Sequence, residues 1–203
     1  KIEIQTERLR KNSPFGNFTT FNLFKIIVKN GEDLRQEQFA SQLINEFQQI
    51  FKLEKVDCWV NIYEILATGN NAGLIEVVPN SISLDQLKRK AKGINSLRHF
   101  FEVYYGPIES KKFKSAMKHF ISSLAGYSLV CYFLQIKDRH NGNILIDDSG
   151  HLIHIDFGFM FTNAPGKGLK FEKAPFKLTK EFVDVMGGVN SKYFQKFRKL
   201  LWK

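Results

Sequence analysis

Cysteine is scarce in this 203-residue chain, with Cys58 and Cys131 the only two. Two thiols build no disulfide framework, and neither shows the paired Cys/His spacing of a metal site, so a reducing compartment is expected. Long apolar runs are missing as well. The nearest approach is residues 120–136, 17 positions without a charge. A spanning helix needs roughly 20 mostly apolar residues, and this stretch holds Ser122, Ser123, Ser128 and Gln135 before running into Lys137, so it reads as a buried core helix. Residues 1–11 mix charged and apolar side chains with no apolar run, which predicts no leader peptide there. Internal repeats and low-complexity tracts are absent. Acidic residues are in short supply: 20 against 30 basic, net +10. In residues 157–203 the balance is three against ten. That deficit points to an anionic partner (a membrane surface, a nucleic acid or an acidic protein), with an ordinary solvated surface as the alternative on charge alone. The aromatic residues follow core periodicity and do not interleave with Lys and Arg on one surface, which argues against nucleic acid.

What is present is enough apolar residue, 43%, for one large domain or two small lobes. The first third reads as strands with one helix. Residues 24–29 are β-rich and stop at Asn30-Gly31, a turn signal. Asp33 is placed to cap a helix running to Phe51, with Leu34, Phe39, Leu43, Ile44, Phe47 and Phe51 at helical spacing. Residues 59–67 and 73–78 read as two more strands joined by Gly69-Asn70-Asn71. From Ser83 the pattern turns helical, over 84–92, 97–104 and 111–135. The expectation is therefore an α+β chain with an antiparallel N-terminal lobe (1–78) and a mostly helical C-terminal lobe (79–203). Residues 162–177, with two prolines and two glycines, read as a long irregular loop of the kind that is usually functional or disordered.

The chemistry concentrates in Asp138-Arg139-His140-Asn141-Gly142-Asn143 and His154-Ile155-Asp156-Phe157-Gly158. Between them, residues 144–147 and 151–155 flank Asp148-Ser149-Gly150, a hairpin signature. A two-residue loop at Ser149-Gly150 pairs Asp148 with His151, Ile146 with Ile153 and Asn143 with Asp156; a wider turn slips the register by one or two residues and still leaves Asn143 beside Asp156 at the open end. An amide oxygen and a carboxylate side by side suit a hard cation, Mg²⁺ or Mn²⁺, completed by phosphate oxygens and water. Gly158 lets the chain turn after the carboxylate. His140 is able to accept a hydroxyl proton near neutrality; Asp138 is either the base itself or the group that orients His140. Ser13, in the Ser13-Pro14-Phe15-Gly16 turn between candidate strands, could set backbone N–H groups over phosphates. Lys29 could reach ATP phosphates as a point charge, and Glu37 could pair with Lys29 or with the metal cluster. Ile75-Glu76-Val77-Val78 joins the lobes, where an adenine ring would fit against backbone and apolar side chains such as Ile155.

The order Asp-Arg-His, reversed from that of ordinary protein kinases, resembles the phosphoinositide-kinase family and its protein-kinase relatives. Lys29-Asn30-Gly31-Glu32-Asp33-Leu34-Arg35-Gln36-Glu37 is similar to the family's ATP-lysine segment, and residues 137–145 to its catalytic loop. Residues 176–188, Phe-Lys-Leu-Thr-Lys-Glu-Phe-Val-Asp-Val-Met-Gly-Gly, resemble the phosphatidylinositol 4-kinases of the type III beta branch. The resemblance implies a two-lobed kinase fold with an activation segment at about 156–178 and transfer of the ATP γ-phosphate to the 4-hydroxyl of phosphatidylinositol. It also implies residue roles: Lys29 on ATP phosphates, Glu76 and Val78 on adenine through their backbones, Asp138 and His140 on the acceptor hydroxyl, Asn143 and Asp156 on metal. Residues 159–177 would receive the inositol headgroup; Lys167, Lys170 and Lys173, interrupted by Glu172, favour the unphosphorylated lipid. A cytoplasmic protein, peripheral on Golgi-type membranes, follows from the same resemblance. A serine/threonine protein kinase of the related family is the alternative. Family members continue through several more helices, so the C-terminal lobe is expected to be partial at Lys203. Near Lys203, Tyr193, Phe194, Phe197, Leu200 and Leu201 share one face and Lys192, Lys196, Lys199 and Lys203 the other, which reads as a core helix, with an interfacial helix as the alternative.

Overall fold

A computed structural model describes residues 2–161 and 174–203. Its axis is the helix over Lys111–Leu134, which we number α5. Ser110 caps it by accepting the Phe113 N–H at 3.1 Å, and Gln135 ends it in a left-handed turn at φ 51°. Residues without charge from Phe120 onward let it be buried on nearly every side. Its serines stay in apolar surroundings by donating to the preceding turn, Ser123 Oγ to His119 O at 2.8 Å and Ser128 Oγ to Leu124 O at 2.7 Å. Among the described residues no helix is long and apolar enough to cross a membrane, and α5 is the core helix the sequence predicts.

The remaining elements precede and follow it: α1 (Ile2–Asn12), β1 (Ile26–Asn30), α2 (Arg35–Leu53), β2 (Ile65–Gly69), β3 (Ala72–Glu76), β4 (Ser81–Ser83), α3 (Leu84–Lys90), α4 (Leu97–Tyr105), β5 (Ile144–Asp147), β6 (Leu152–His154), α6 (Lys180–Val185) and α7 (Lys192–Leu201). Two three-stranded antiparallel sheets form among the described residues, in the orders β1-β3-β2 and β4-β5-β6. The fold is thus a mixed one of small antiparallel sheets and helices.

Two clusters of buried side chains meet along α5. One takes Leu84 of α3, Phe100 and Phe101 of α4, Phe113 and Phe120 of α5, Ile144 and Leu152 of the hairpin, Phe182 of α6, and Phe197 and Leu200 of α7. The other takes Ala40, Ile44 and Phe51 of α2, Tyr63, Ile65, then Tyr127, Val130 and Leu134 from the far half of α5, with Phe157 and Met160. Helix α7 is accordingly a core helix.

Four local expectations change. The N-terminal region carries two helices, since α1 occupies residues whose charges hide its apolar positions. Ser13 to Gly16 follows α1 in a run of turns and does not lie between strands. Asp33 is not the cap of α2: Leu34 holds that position without a side-chain bond, and the Asp33 carboxylate accepts the Arg35 N–H at 3.1 Å and pairs with its guanidinium. Residues 59–64 are extended but join no sheet, because they lie across α5. The Trp59 N–H donates to Ser122 O at 3.1 Å and the Asn61 N–H to Tyr127 Oη at 3.1 Å. Gly126 permits that approach, as a Cβ there would sit 2.5 Å from Trp59 O.

Candidate active site

The hairpin closes with a three-residue loop, not two. Ile144 pairs with His154 and Ile146 with Leu152, one residue away from the expected register. Two causes are visible. Gly150 adopts φ 97°, the left-handed position that ends a three-residue loop, and its α-carbon faces Ala116, whose carbonyl oxygen would be 3.0 Å from a Cβ. The Asp147 carboxylate then gathers the turn, accepting the N–H groups of Ser149 (2.9 Å) and His151 (2.8 Å) and the His151 Nδ1 (2.8 Å). Asn143 therefore stands opposite Ile155, whose N–H it accepts at 3.1 Å. Asp156 follows at φ 61°, a left-handed bend outside the ladder.

Despite that shift, Asn143 and Asp156 line one cavity of about 480 Å³. It opens between the two sheets, and Lys29, Glu37, Ile75, Glu76, Val78 and Ile155 line it too. Tyr63, Ser81, Ser83 and Gln86, which the sequence does not single out, are also among its lining residues. Ser13, Asp138 and His140 are not among the lining residues. Ser13 turns its Oγ onto the Phe15 N–H at 3.2 Å.

Charges in the cavity are arranged around Asp156. Lys29 forms an ion pair with Glu32 at 2.9 Å. The Glu32 hydrogen bond raises its ammonium pKa against the opposing effect of burial, and the charges of Glu37 and Asp156 add to the rise. Glu37 meets Asp156. Burial first, then the charge of Asp156 and a hydrogen bond to it, push the Glu37 carboxyl up to about 7. A cation bound beside them would neutralise both carboxyl groups. Asn143 donates Nδ2 to Asp138 O at 3.1 Å, which leaves its Oδ1 for a cation. Among the described residues no three His, Cys, Asp or Glu side chains gather as a metal cluster. The donor set suits a hard cation that shares its coordination with ligand oxygens and water.

The Asp138–Asn143 loop is tightly folded. Asp138 sits at φ 61°. The His140 Nδ1 accepts the Gly142 N–H at 3.0 Å, its carbonyl accepts the Asn143 N–H at 3.0 Å, and its Nε2 lies 3.8 Å from Asp138 Oδ2. With Nδ1 accepting, the neutral ring carries its proton on Nε2. His154 is a different histidine altogether: buried, stacked on Tyr127 at 4.5 Å, and held well below its usual pKa by burial and then by the charge of Arg139.

Residues 23–203 match the family model described as phosphatidylinositol 3- and 4-kinase. The chain belongs to that family. It is 50% identical over 194 residues to a phosphatidylinositol 4-kinase of Dictyostelium discoideum, covering 96% of this chain and 16% of that protein. It is 48% identical over 202 residues to phosphatidylinositol 4-kinase PIK1a of Candida albicans, covering 94% and 21%. Phosphatidylinositol 4-kinase beta of Xenopus laevis is 46% identical over 199 residues, covering 98% and 24%. The chain thus spans between 16% and 24% of the length of these curated relatives.

For a phosphatidylinositol 3- and 4-kinase domain, the residue that sequence reasoning most plainly missed is Arg139. It is 2% exposed, and its guanidinium donates to the carbonyls of Lys137 (3.0 Å), Ile155 (2.8 Å) and Asp156, while lying over the Phe157 ring. A buried cation among carbonyl oxygens ties the Asp138 loop to the Asp156 segment. The available signal was its place between two candidate site residues in a stretch with no regular secondary structure to satisfy its neighbours' backbone.

Proposed function

We propose that this chain is the catalytic core of a lipid kinase that transfers the γ-phosphate of ATP to the 4-hydroxyl of phosphatidylinositol. The observation that carries this reading is the single cavity that receives Lys29, Asn143 and Asp156 together with the Ile75–Val78 connection, in a chain 45–50% identical to proteins named phosphatidylinositol 4-kinases. Residues 1–78 and 79–203 act as the two lobes of a kinase fold, with the activation segment at about 156–178. Lys29 holds the ATP phosphates. Adenine lies against Ile75 and Ile155 and meets the Val78 backbone; the Glu76 N–H is already donated to Glu64 O at 2.9 Å, so the Glu76 carbonyl is the group left for the base.

Asn143 and Asp156, with Glu37 beside them, would hold Mg²⁺ or Mn²⁺. When bound, the ion neutralises phosphate charge that builds up in the transition state. The inositol 4-hydroxyl oxygen attacks the γ-phosphorus in line, the bond to the β–γ bridging oxygen breaks, and ADP leaves. The hydroxyl proton passes to Asp138, because the His140 Nδ1 is occupied by the Gly142 N–H and its Nε2 is a donor, suited to binding phosphate oxygen. The acceptor lipid is drawn from an anionic membrane surface, with the protein peripheral on internal, Golgi-type membranes. Of the segment expected to receive the headgroup (159–177), residues 162–173, which include Lys167, Lys170, Glu172 and Lys173, lie outside the described residues.

Radiolabelled ATP offered with phosphatidylinositol vesicles and, separately, with serine/threonine peptides tests the assignment. Headgroup chromatography of the lipid product should give the 4-phosphate. A 3- or 5-phosphate, or label in peptide alone, would replace the reading with another.

A further inference from the structure

Five consecutive carbonyls, from Ile155 to Phe159, accept hydrogen bonds from outside their own segment. Arg139 supplies those to Ile155 and Asp156, and the Lys137 N–H supplies the one to Phe159 at 2.9 Å. Both donors belong to the Asp138 loop. The two carbonyls between them are served from elsewhere: Gln36 Nε2, on the first turn of α2, donates to Phe157 O at 3.3 Å and to Gly158 O at 2.7 Å, across 121 and 122 positions of sequence.

We infer that Gln36 is a positioning residue for the divalent ion, fixing the backbone just after Asp156 so that this carboxylate stays in the cavity. The inference rests on the kinase reading above. Strand β6 ends at His154, so no ladder constrains Asp156, whose φ of 61° an unsupported non-glycine residue populates little. Relaxation toward an extended backbone would turn the side chain toward the opposite face. An amide is suited to the task because its NH₂ carries two hydrogens, one for each carbonyl. Methionine of similar length offers none, and a glutamate would set negative charge against two oxygens. The neighbouring Glu37 faces the cavity itself, so one turn of α2 both lines the site and holds its far wall.

The test is binding of Mn²⁺ without turnover, followed by electron paramagnetic resonance in the presence of a non-hydrolysable ATP analogue. Gln36→Met should weaken Mn²⁺ about tenfold, as expected for the loss of one partly buried hydrogen-bonding group, and Gln36→Glu should weaken it further. Affinity for the analogue without metal should stay within twofold. Gln38→Met is the control: Gln38 Oε1 accepts the Ala67 N–H at 3.3 Å, so this change loosens the same helix without touching residues 156–158. Wild-type Mn²⁺ affinity in both Gln36 variants overturns the inference, as does an equal loss in Gln38→Met. Asp156→Ala separates the two levels. If it binds Mn²⁺ like the wild type, the metal assignment itself is wrong; if it loses Mn²⁺ while the Gln36 variants do not, only the role of Gln36 falls.

Discussion

The two ends of the β5–β6 hairpin are built on opposite principles. At the closed end every polar group serves the fold. The Asp147 carboxylate satisfies three donors, and His151 is sandwiched between Trp59 and His119 at ring separations of 4.0 and 4.3 Å. Residues 147–153 make the turn itself, with Trp59, His119 and Ala116 packed against it. At the open end Asp138 and Asp156 both occupy left-handed backbone, Glu37 is pushed against Asp156, and an amide oxygen is left for a ligand. That end is held by Arg139 and Gln36, whose bonds run to backbone carbonyls, while the Asp156 carboxylate accepts the Gly158 N–H at 3.4 Å. Conformational strain on the order of 1–3 kcal/mol per such residue collects where the chemistry is expected, and the well-satisfied turn on the other side holds the ribbon in register.

Breaking the open end should affect turnover far more than stability. Asp156→Ala is expected to lower lipid-kinase activity on the order of a thousandfold or more, with the thermal midpoint shifted by no more than a few degrees because Glu37 loses its unfavourable neighbour. Substantial residual activity in a folded variant would remove Asp156 from the site. Arg139→Met crosses the comparison. It should cost about 3 kcal/mol in denaturant titrations, because buried carbonyls are left unpaired, and should lower activity as well.

At the closed end the effects should be on stability alone. Asp147→Ala is expected to cost about 2 kcal/mol at neutral pH, with activity per folded molecule preserved. Burial of Asp147 works to raise its pKa, but the hydrogen bonds from His151 and Ser149 outweigh it and the net shift is downward. An acid with a lowered folded-state pKa stabilises the fold above its unfolded value, near 4, and loses that contribution as pH falls through the folded value. The gap between variant and wild type should therefore be constant from pH 5 to 8 and narrow below about pH 4. Gly150→Ala is the smallest of the four, at about 1–2 kcal/mol, from left-handed backbone and contact with Ala116. Equal activity losses at both ends would mean that the ribbon acts as one unit.

Much of this was legible in the sequence. The hairpin, the long core helix and the helical run from Leu84 to Leu134 are encoded in contiguous patterns of apolar residues and turn formers. So were several residues that line the cavity, because Lys29, Glu37, Ile75, Asn143 and Asp156 lie in short motifs whose chemistry is recognisable one residue type at a time, whereas Tyr63, Ser81, Ser83 and Gln86 carry no such motif. The hairpin register was not, since Asp-Asp-Ser-Gly closes a loop of two residues or three and the choice depends on Ala116 of α5 lying beneath Gly150. The extended path of residues 59–64 was not either: its alternating apolar residues suit a strand, and only Gly126 of α5, 65 to 67 positions away from Trp59 to Asn61, makes room for it elsewhere.

The sequence by itself determined family, the inventory of oxygen ligands and cations, and the existence of the elements that carry them, since those depend on neighbours within a few positions. Tertiary structure alone decided which donors reach the Asp156 backbone, which acid meets which, and that the His140 Nδ1 accepts the Gly142 N–H. The reason is reach. A hydrogen bond from Gln36 to Gly158, or from Arg139 to Asp156, exists only once packing against α5 has brought α2, the loop and the ribbon within 3 Å of one another, and no local pattern records that approach.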